Sequence, residues 1–325
     1  MIYSCVRFSQ RIRPIFRNCK SFAFGNINYS RKSSRSQISV STNAVFKPGS
    51  SLQLILKCGV FTVVSTNAIF LGSLLLGFEA WRTRHSKTKN DSVIGNSISR
   101  VRNYIESILG RPLRASDTYW VIVACNILVF LGLNSRLSPF IQPYFLSSVT
   151  GPTPALSMVL SVFSHKSLFH LWLNMYVLHS FAKSLISLVG VEEFLSVFLA
   201  GGIFSSYISL MNKLVQRSKF SSLGASGGIC ALIGSLCMLK PNAHLCIPFI
   251  VDIIPHSFQA NNAIWVILSF EIIGILFLSR RSALDHAAHA GGLIFGMLYG
   301  MNGIESIRER RHAVLSWWKS IRDKR

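Results

Sequence analysis

The sequence predicts an all-α protein that crosses a membrane several times. Half of its 325 residues are hydrophobic and only 14% are charged, whereas about 25% is usual for soluble globular domains. Its long uncharged segments each approach the roughly 20 residues that one helix needs to cross a bilayer. They are continuously apolar rather than alternating, which argues against a β-barrel. This pattern excludes a soluble enzyme or a nucleic-acid-binding protein, despite a net charge of +22.

The N-terminal segment 1–50 is predicted to be a mitochondrial transit peptide. No Asp or Glu occurs between Met1 and Phe78, while arginines alternate with serine and aromatic residues. This composition is typical of such peptides, and no apolar core of a secretory signal precedes residue 51. A basic, disordered cytosolic tail is the alternative interpretation.

The apolar segments predict one extra helix followed by a core. The extra transmembrane helix lies within 51–80, a basic connector covers 81–117, and a six-helix core covers 118–302. A basic tail at 303–325 contains adjacent tryptophans, which favour the membrane interface. The core helices are expected near 118–135, directly after Ser167, and near 194–212, 220–239, 253–270 and 286–304.

The first loop of the core, about 135–166, is long and proline-rich and has almost no charge. We expect it to lie at the membrane interface with its backbone bonded to protein, because unsatisfied backbone groups are costly in lipid.

No metal or other cofactor is expected. The seven cysteines are scattered without a CxxC pair, so neither a disulfide framework nor a zinc ribbon is indicated. His286 and His289 are three residues apart, but they do not form the HExxH pattern of a zinc protease.

Three segments carry polar side chains into predicted helices, where such groups are expensive and are therefore candidates for function. They open the second, fourth and sixth core helices. Because successive spans alternate in direction, these three starts face the same side of the membrane. We therefore expect His170, Asn174, Ser226 and His289 to meet one to two turns inside their helices, about 5 to 10 Å deep.

These four side chains suit acyl transfer. Ser226 provides a hydroxyl nucleophile, and His289 provides a general base that takes its proton. The backbone N–H of Ser226, with the side chains of His170 and Asn174, would bind the developing oxyanion. His170 and Asn174 share one helix face because they are four residues apart.

Small residues support this arrangement. Gly224 and Gly227 let the chain bend beside the nucleophile. Glycines at 292, 296 and 300 form a stripe on the sixth helix, and such stripes allow close helix approach in lipid. We expect the stripe to face the fourth helix and to hold Ser226 near His289, although a stripe alone indicates packing more than catalysis.

Other polar residues receive simpler interpretations. Asp285 either orients His289 or caps the sixth helix, and a cap is favoured because carboxylates are stabilised at helix N-termini. His165 is predicted to support the first loop structurally, and a chemical role is the alternative. Glu271, inside the fifth span, is assigned no role.

These motifs resemble those of the rhomboid family of intramembrane serine proteases. The family pattern H-x4-H-x3-N is met by His165, His170 and Asn174. The G-x-S-G string is met at 224–227, and the A-H-x-x-G-x-x-x-G string at 288–296. The resemblance covers about residues 115–302.

The extra helix before the core and the segment 285–289 make the chain look like the mitochondrial, presenilin-associated rhomboid-like branch. The resemblance implies a Ser–His dyad without an acid, and a multi-pass location in the mitochondrial inner membrane. It also implies substrates that are single-span proteins of that membrane, such as a dynamin-like GTPase, with membrane lipid as the other partner.

Two other functions stay open from sequence. A catalytically inactive rhomboid-like protein that binds membrane clients would have lost the serine or the histidine, and both are present. A transporter or proton channel would require more intramembrane carboxylates and inverted repeats.

Overall fold

A computed structural model describes residues 48–85, 93–246, 256–278 and 284–322, so nearly all of the predicted transit peptide lies outside the described residues. The described chain is mainly helical. Its helices are α1 Pro48–His85, α2 Val93–Leu109, α3 Thr118–Leu133, α4 Ser138–Phe145, α5 Pro154–Leu160, α6 Leu168–Val189, α7 Val191–Gln216, α8 Ser226–Leu239, α9 Ala260–Ile273, α10 His286–Leu298 and α11 Ile304–Arg322.

Short elements join these helices. Two short strands, β1 His244–Leu245 and β2 Phe258–Gln259, pair antiparallel between α8 and α9. Helices α9 and α10 each continue into a π-helical turn. The short elements are 3₁₀ turns at Ala115–Asp117 and Ser161–Phe163, strands at His244–Leu245 and Phe258–Gln259, and π-helical turns at Gly274–Leu278 and Tyr299–Gly303.

The predicted fold, an all-α polytopic membrane protein, is confirmed. Helices α3, α6, α7, α8, α9 and α10 form the six-helix core, and α1 is the extra helix before it. By length and composition, the described stretches that could each cross a membrane are Gly49–Thr83, Ala115–Leu133, Val191–Gln216 and Ala260–Leu278. The remaining core helices are shorter or more polar, since α8 has only 14 residues and α6 carries several polar side chains.

Helix α7 lies at the centre of the bundle. It packs against α1, α8 and α10, and 67% of its most apolar stretch is buried inside the protein. Phe194, Phe198 and Ile203 are among its fully buried side chains. Because lipid tails are as apolar as these side chains, close packing rather than the hydrophobic effect holds such helices together.

Helices α8 and α10 approach through their small residues. Gly292 lies against the backbone carbonyl of Gly227, and Gly296 lies against the carbonyl of Ala231. A β-carbon at either α10 position would collide with the backbone of α8. The predicted contact between the glycine stripe and the fourth core helix is therefore present.

The extra helix α1 packs along α7. Ser73 Oγ and Ser196 Oγ are 2.6 Å apart, and the Tyr207 hydroxyl donates to the carbonyl of Ile55 at 3.4 Å. Polar contacts between two apolar helices favour one relative position, because each polar group would otherwise face lipid.

The C-terminal helix α11 contacts α1. Trp318 Nε1 donates to Glu79 Oε1 at 2.8 Å, and Lys319 Nζ lies 5.3 Å from the ring centre of Phe78. Trp317 points outward with 54% of its surface exposed. Of the two tryptophans expected at the interface, Trp318 is bound to the buried carboxylate of Glu79.

The fifth core helix is shifted from its predicted position of 253–270. Helix α9 begins at Ala260, after strand β2, and its π-helical turn ends at Leu278. The uncharged run ends before Glu271, although the sequence places that residue inside the same span. In the structure Glu271 is a residue of α9. Its side chain faces α10, and the residue is only 6% exposed.

The first loop of the core is folded against the segment that precedes α8. Ser147 and Ser222 exchange two backbone hydrogen bonds of 3.0 and 2.7 Å. The Ser164 hydroxyl donates to the carbonyl of Phe145 at 2.7 Å. These backbone groups are bonded to protein, as we expected for a loop with so little charge.

Candidate active site

Ser226 is the first residue of α8, directly after Ala225. The chain reaches it through Gly224, whose φ of +130° lies in a region that favours glycine. The Gly224 N–H donates to the carbonyl of Ser161 at 3.0 Å, which ties this turn to the first loop. The Ser226 N–H belongs to the first helical turn, where backbone donors have no partner inside the helix.

The position of Ser226 within its helix differs from the one predicted. We expected each candidate to lie one to two turns inside its helix, but Ser226 opens α8. The 14 residues of α8 span about 21 Å, less than the roughly 30 Å of a hydrocarbon core. Such a helix cannot reach both membrane faces, so a short helix can set its first residue below the surface.

His289 is brought to Ser226 by the contact between α8 and α10. It is the fourth residue of α10, and its Nε2 lies 3.0 Å from Ser226 Oγ. Gly292 lies less than one turn further along α10, where it packs on Gly227. At this distance the hydroxyl and the imidazole nitrogen are within hydrogen-bond reach.

His170 lies on the other side of the serine turn. A β-carbon built on Gly224 would lie 3.2 Å from His170 Nε2 and 3.6 Å from Ser226 Oγ, so the imidazole and the hydroxyl flank the same glycine. Asn174 is buried one turn further along α6, and its amide donates to the carbonyl of His170 at 2.9 Å. One amide hydrogen of Asn174 is thus used within its own helix.

His165 supports His170 from the first loop. It is 3% exposed, and its ring packs edge-on against His170 with a centroid distance of 5.0 Å.

Glu271 is the residue of this cluster that sequence reasoning missed. Its Oε1 lies 3.1 Å from His289 Nδ1, and its Oε2 lies 2.6 Å from His286 Nδ1. The imidazole of His289 therefore connects a hydroxyl on one side with a carboxylate on the other. The available signal was general: an ionisable side chain inside a membrane helix is expensive and therefore a functional candidate.

Asp285 does not contact the ring of His289. Its Oδ1 accepts the N–H of Ala288 at 3.1 Å, so it caps α10 as favoured from sequence. Its Oδ2 accepts from Ser209 Oγ at 2.6 Å, pairs with Lys213 Nζ at 3.3 Å and also contacts Ser222 Oγ. This polar cluster joins α7, the start of α10 and the segment before Ser226.

The described site therefore contains the groups that serine-type acyl transfer requires. A hydroxyl is within hydrogen-bond reach of an imidazole, and a backbone N–H of the first helical turn and a second imidazole lie beside it. Among the residues that the structure describes, no group of three or more His, Cys, Asp or Glu side chains is arranged to hold a metal ion.

Comparison with known proteins places these residues within a recognised domain. The family model described as Rhomboid domain matches residues 153–306, which include all of the candidates above. The chain is 31% identical to presenilin-associated rhomboid-like protein A, mitochondrial, of Danio rerio, over 81% of this chain and 74% of that protein.

Two further relatives agree. Identity to the presenilin-associated rhomboid-like protein, mitochondrial, of Homo sapiens is 31%, over 83% of this chain and 72% of that protein. Identity to Rhomboid protein 1, mitochondrial, of Saccharomyces cerevisiae is 30%, over 61% and 58%. From its fold, its motifs and these matches, the chain belongs to the rhomboid family, in the presenilin-associated rhomboid-like branch.

Proposed function

We propose that this chain is an intramembrane serine endopeptidase of the mitochondrial inner membrane that cleaves transmembrane segments of single-span proteins. Members of the rhomboid family are generally intramembrane serine proteases. The observation that carries the proposal is the 3.0 Å separation of Ser226 Oγ and His289 Nε2 at the start of a short membrane helix.

In the first half of the reaction, Ser226 Oγ attacks the scissile carbonyl and its proton passes to His289 Nε2. The negative oxygen that forms is stabilised by the Ser226 N–H and by His170, with Asn174 as a further donor. His289 then gives its proton to the leaving amide nitrogen as the C–N bond breaks.

In the second half, water attacks the acyl-enzyme. His289 takes a proton from this water and returns one to Ser226 Oγ as the ester bond breaks, which releases the new carboxyl terminus. The enzyme finishes in its starting protonation state.

The substrate must expose a carbonyl to this serine. A carbonyl inside a helix is already hydrogen-bonded, so we expect substrates whose transmembrane helix unwinds locally at Gly or Pro near the cut. A dynamin-like GTPase of the inner membrane is the candidate substrate that the family resemblance suggests.

The location forms part of the proposal. The relatives carry mitochondrial names, and we propose that 1–50 serves as the import signal, 51–80 as the extra transmembrane helix and 81–117 as a connector to the core at 118–302. The segment 303–325 would follow the core as a basic tail.

The test is cleavage of a single-span reporter in mitochondria that contain the full chain or a variant at equal abundance. Ser226→Ala and His289→Ala should each abolish cleavage. Processing that continues in either variant would contradict the proposal, as would a wild-type chain that binds the reporter without cutting it.

A further inference from the structure

Glu271 occupies a position that the Ser–His chemistry above does not explain. It lies on α9, whereas both of its partners, His286 and His289, lie on α10. Each carboxylate oxygen faces one imidazole, at 2.6 Å for His286 and 3.1 Å for His289. The residues Glu271 and His286 are 6% and 2% exposed.

A carboxylate in this place needs partners. An ionised side chain within a membrane helix is costly unless it is paired, and a carboxylate can only accept hydrogen bonds. With Glu271 ionised, each contacting Nδ1 must supply the hydrogen of its contact. For His289, this leaves the lone pair on Nε2, the nitrogen that faces Ser226 Oγ at 3.0 Å.

We propose that Glu271 is a positioning residue that completes a Ser226–His289–Glu271 triad, and that His286 holds its second carboxylate oxygen. The inference rests on the proposed function. Glu271 fixes the His289 tautomer that can accept the Ser226 proton, and it stabilises the imidazolium that then forms.

The serine proton moves through this triad in two steps. It moves from Ser226 Oγ to His289 Nε2 and then to the leaving amide nitrogen, while the Nδ1 hydrogen stays on His289. Glu271 remains ionised throughout, as the acid of serine protease triads does.

His286 gives the carboxylate one orientation. A glutamate side chain has several rotatable bonds, and a single hydrogen bond to His289 would leave it partly mobile. The shorter contact to His286 holds the second oxygen, so the first remains in line with His289 Nδ1.

A purely structural role makes a different prediction. A carboxylate that only joins α9 to α10 would lower stability when it is replaced, and turnover would fall together with the folded fraction. A positioning role lowers turnover in a folded chain and leaves substrate binding largely intact, because the carboxylate acts through His289.

The test compares Glu271→Gln and Glu271→Asp with wild type, using the purified full chain and a single-span reporter peptide. Thermal unfolding, KM and kcat are measured for each. Glu193→Gln is the matched control, because the Glu193 carboxylate accepts from Tyr299 at 2.7 Å and Tyr299 lies about 15 Å along the helix from His289.

We expect Glu271→Gln to lower kcat at least about 100-fold, because an amide donor can select the wrong tautomer. KM and the unfolding temperature should stay near wild type. Glu271→Asp should recover at least about tenfold over the Gln variant, since it restores an acceptor-only group. Glu193→Gln should keep wild-type turnover.

A readout independent of activity uses nitrogen NMR of isotopically labelled histidine in the Ser226→Ala background. His289 should have its hydrogen on Nδ1 in that chain, and it should lose this preference when Glu271→Gln is added. This measurement also serves if the substituted chains prove too unstable for kinetics.

The role of Glu271 is overturned if Glu271→Gln turns over within about threefold of wild type, or if the His289 tautomer is unchanged. It is also overturned if turnover falls only in proportion to the folded fraction. An active wild type with an equally active Ser226→Ala variant would instead overturn the proposed function.

Discussion

Gly292 of α10 lies against the backbone carbonyl of Gly227, the residue that follows Ser226 in α8. The two helices therefore approach at the level of the reacting side chains. The distance between Ser226 and His289 depends on the absence of a side chain at this contact.

The first prediction follows from this contact. Gly292→Ala should destabilise the chain by about 1–3 kcal/mol, because the added methyl group collides with rigid backbone. It should also lower cleavage by about 100-fold if the helices separate by about 1 Å. Gly72→Ala is the matched control, since a β-carbon there meets no atom within 4 Å; loss of cleavage in both variants would argue against a local effect.

The second prediction concerns the oxyanion side of the site. His170→Ala should lower kcat by about 100- to 1,000-fold with a smaller change in KM, because the lost donor acts mainly on the transition state. Asn174→Ala should lower kcat less, since one of its amide hydrogens is already bound to a helix carbonyl. Steady-state kinetics on the reporter measure kcat and KM for both variants. His312→Ala is the control, because His312 is exposed. An unchanged kcat in His170→Ala would exclude an oxyanion-binding role for His170.

The third prediction concerns the ion pair between Lys213 and Asp285. Asp285→Asn keeps a helix-capping side chain but leaves Lys213, whose side chain is 12% exposed, without its counter-charge. The pair is partly buried, because the Asp285 side chain is 25% exposed. Breaking it should cost less than the about 3–5 kcal/mol of a fully buried pair, and the unfolding temperature should fall. Adding Lys213→Met should restore most of this stability, because neither charge then remains unpaired.

The control for that ion pair is Arg102→Met, which removes a pair between neighbouring turns of α2, with Arg102 29% exposed and Glu106 21% exposed. Pairs of this kind on a helix contribute at most about 1 kcal/mol. If the Lys213→Met and Asp285→Asn changes prove additive, the two groups do not interact as described.

The fourth prediction concerns the attachment of α11 to α1. Trp318→Phe removes the hydrogen bond to Glu79, and hydrogen bonds to charged groups contribute about 1.5–3 kcal/mol. Limited proteolysis should therefore cut α11 faster in this variant. Trp317→Phe, a neighbouring change at a side chain with 54% exposure, should not alter the rate; equal rates in the two variants would contradict the attachment.

Composition and motif spacing predicted the membrane fold, the extra helix and the segments that meet around Ser226. Alternation of the spans was enough to bring the starts of the second, fourth and sixth core helices to one side. The distance between Ser226 and His289 agrees with this expectation, and the catalytic roles of the residues stay predictions until they are tested.

The remaining features depend on tertiary contacts that a single sequence does not reveal. Glu271 is placed inside the fifth span by sequence but receives no role there, because its partners lie on a helix that only packing brings close. The sequence places Ser226 deeper in its helix because the uncharged run begins at 220. In the structure the chain is irregular up to Gly224, and the helix begins only at Ser226. The contact of Trp318 with a buried acceptor on α1 likewise could not be foreseen from the sequence.

The central claim is that Ser226 is a nucleophile activated by His289. Its most direct test is reaction of the detergent-solubilised chain with a fluorophosphonate probe, followed by mass spectrometry of the labelled peptide. We expect the label on Ser226, and its loss in both Ser226→Ala and His289→Ala. Label on another residue, or undiminished labelling of Ser226 in His289→Ala, would contradict the account.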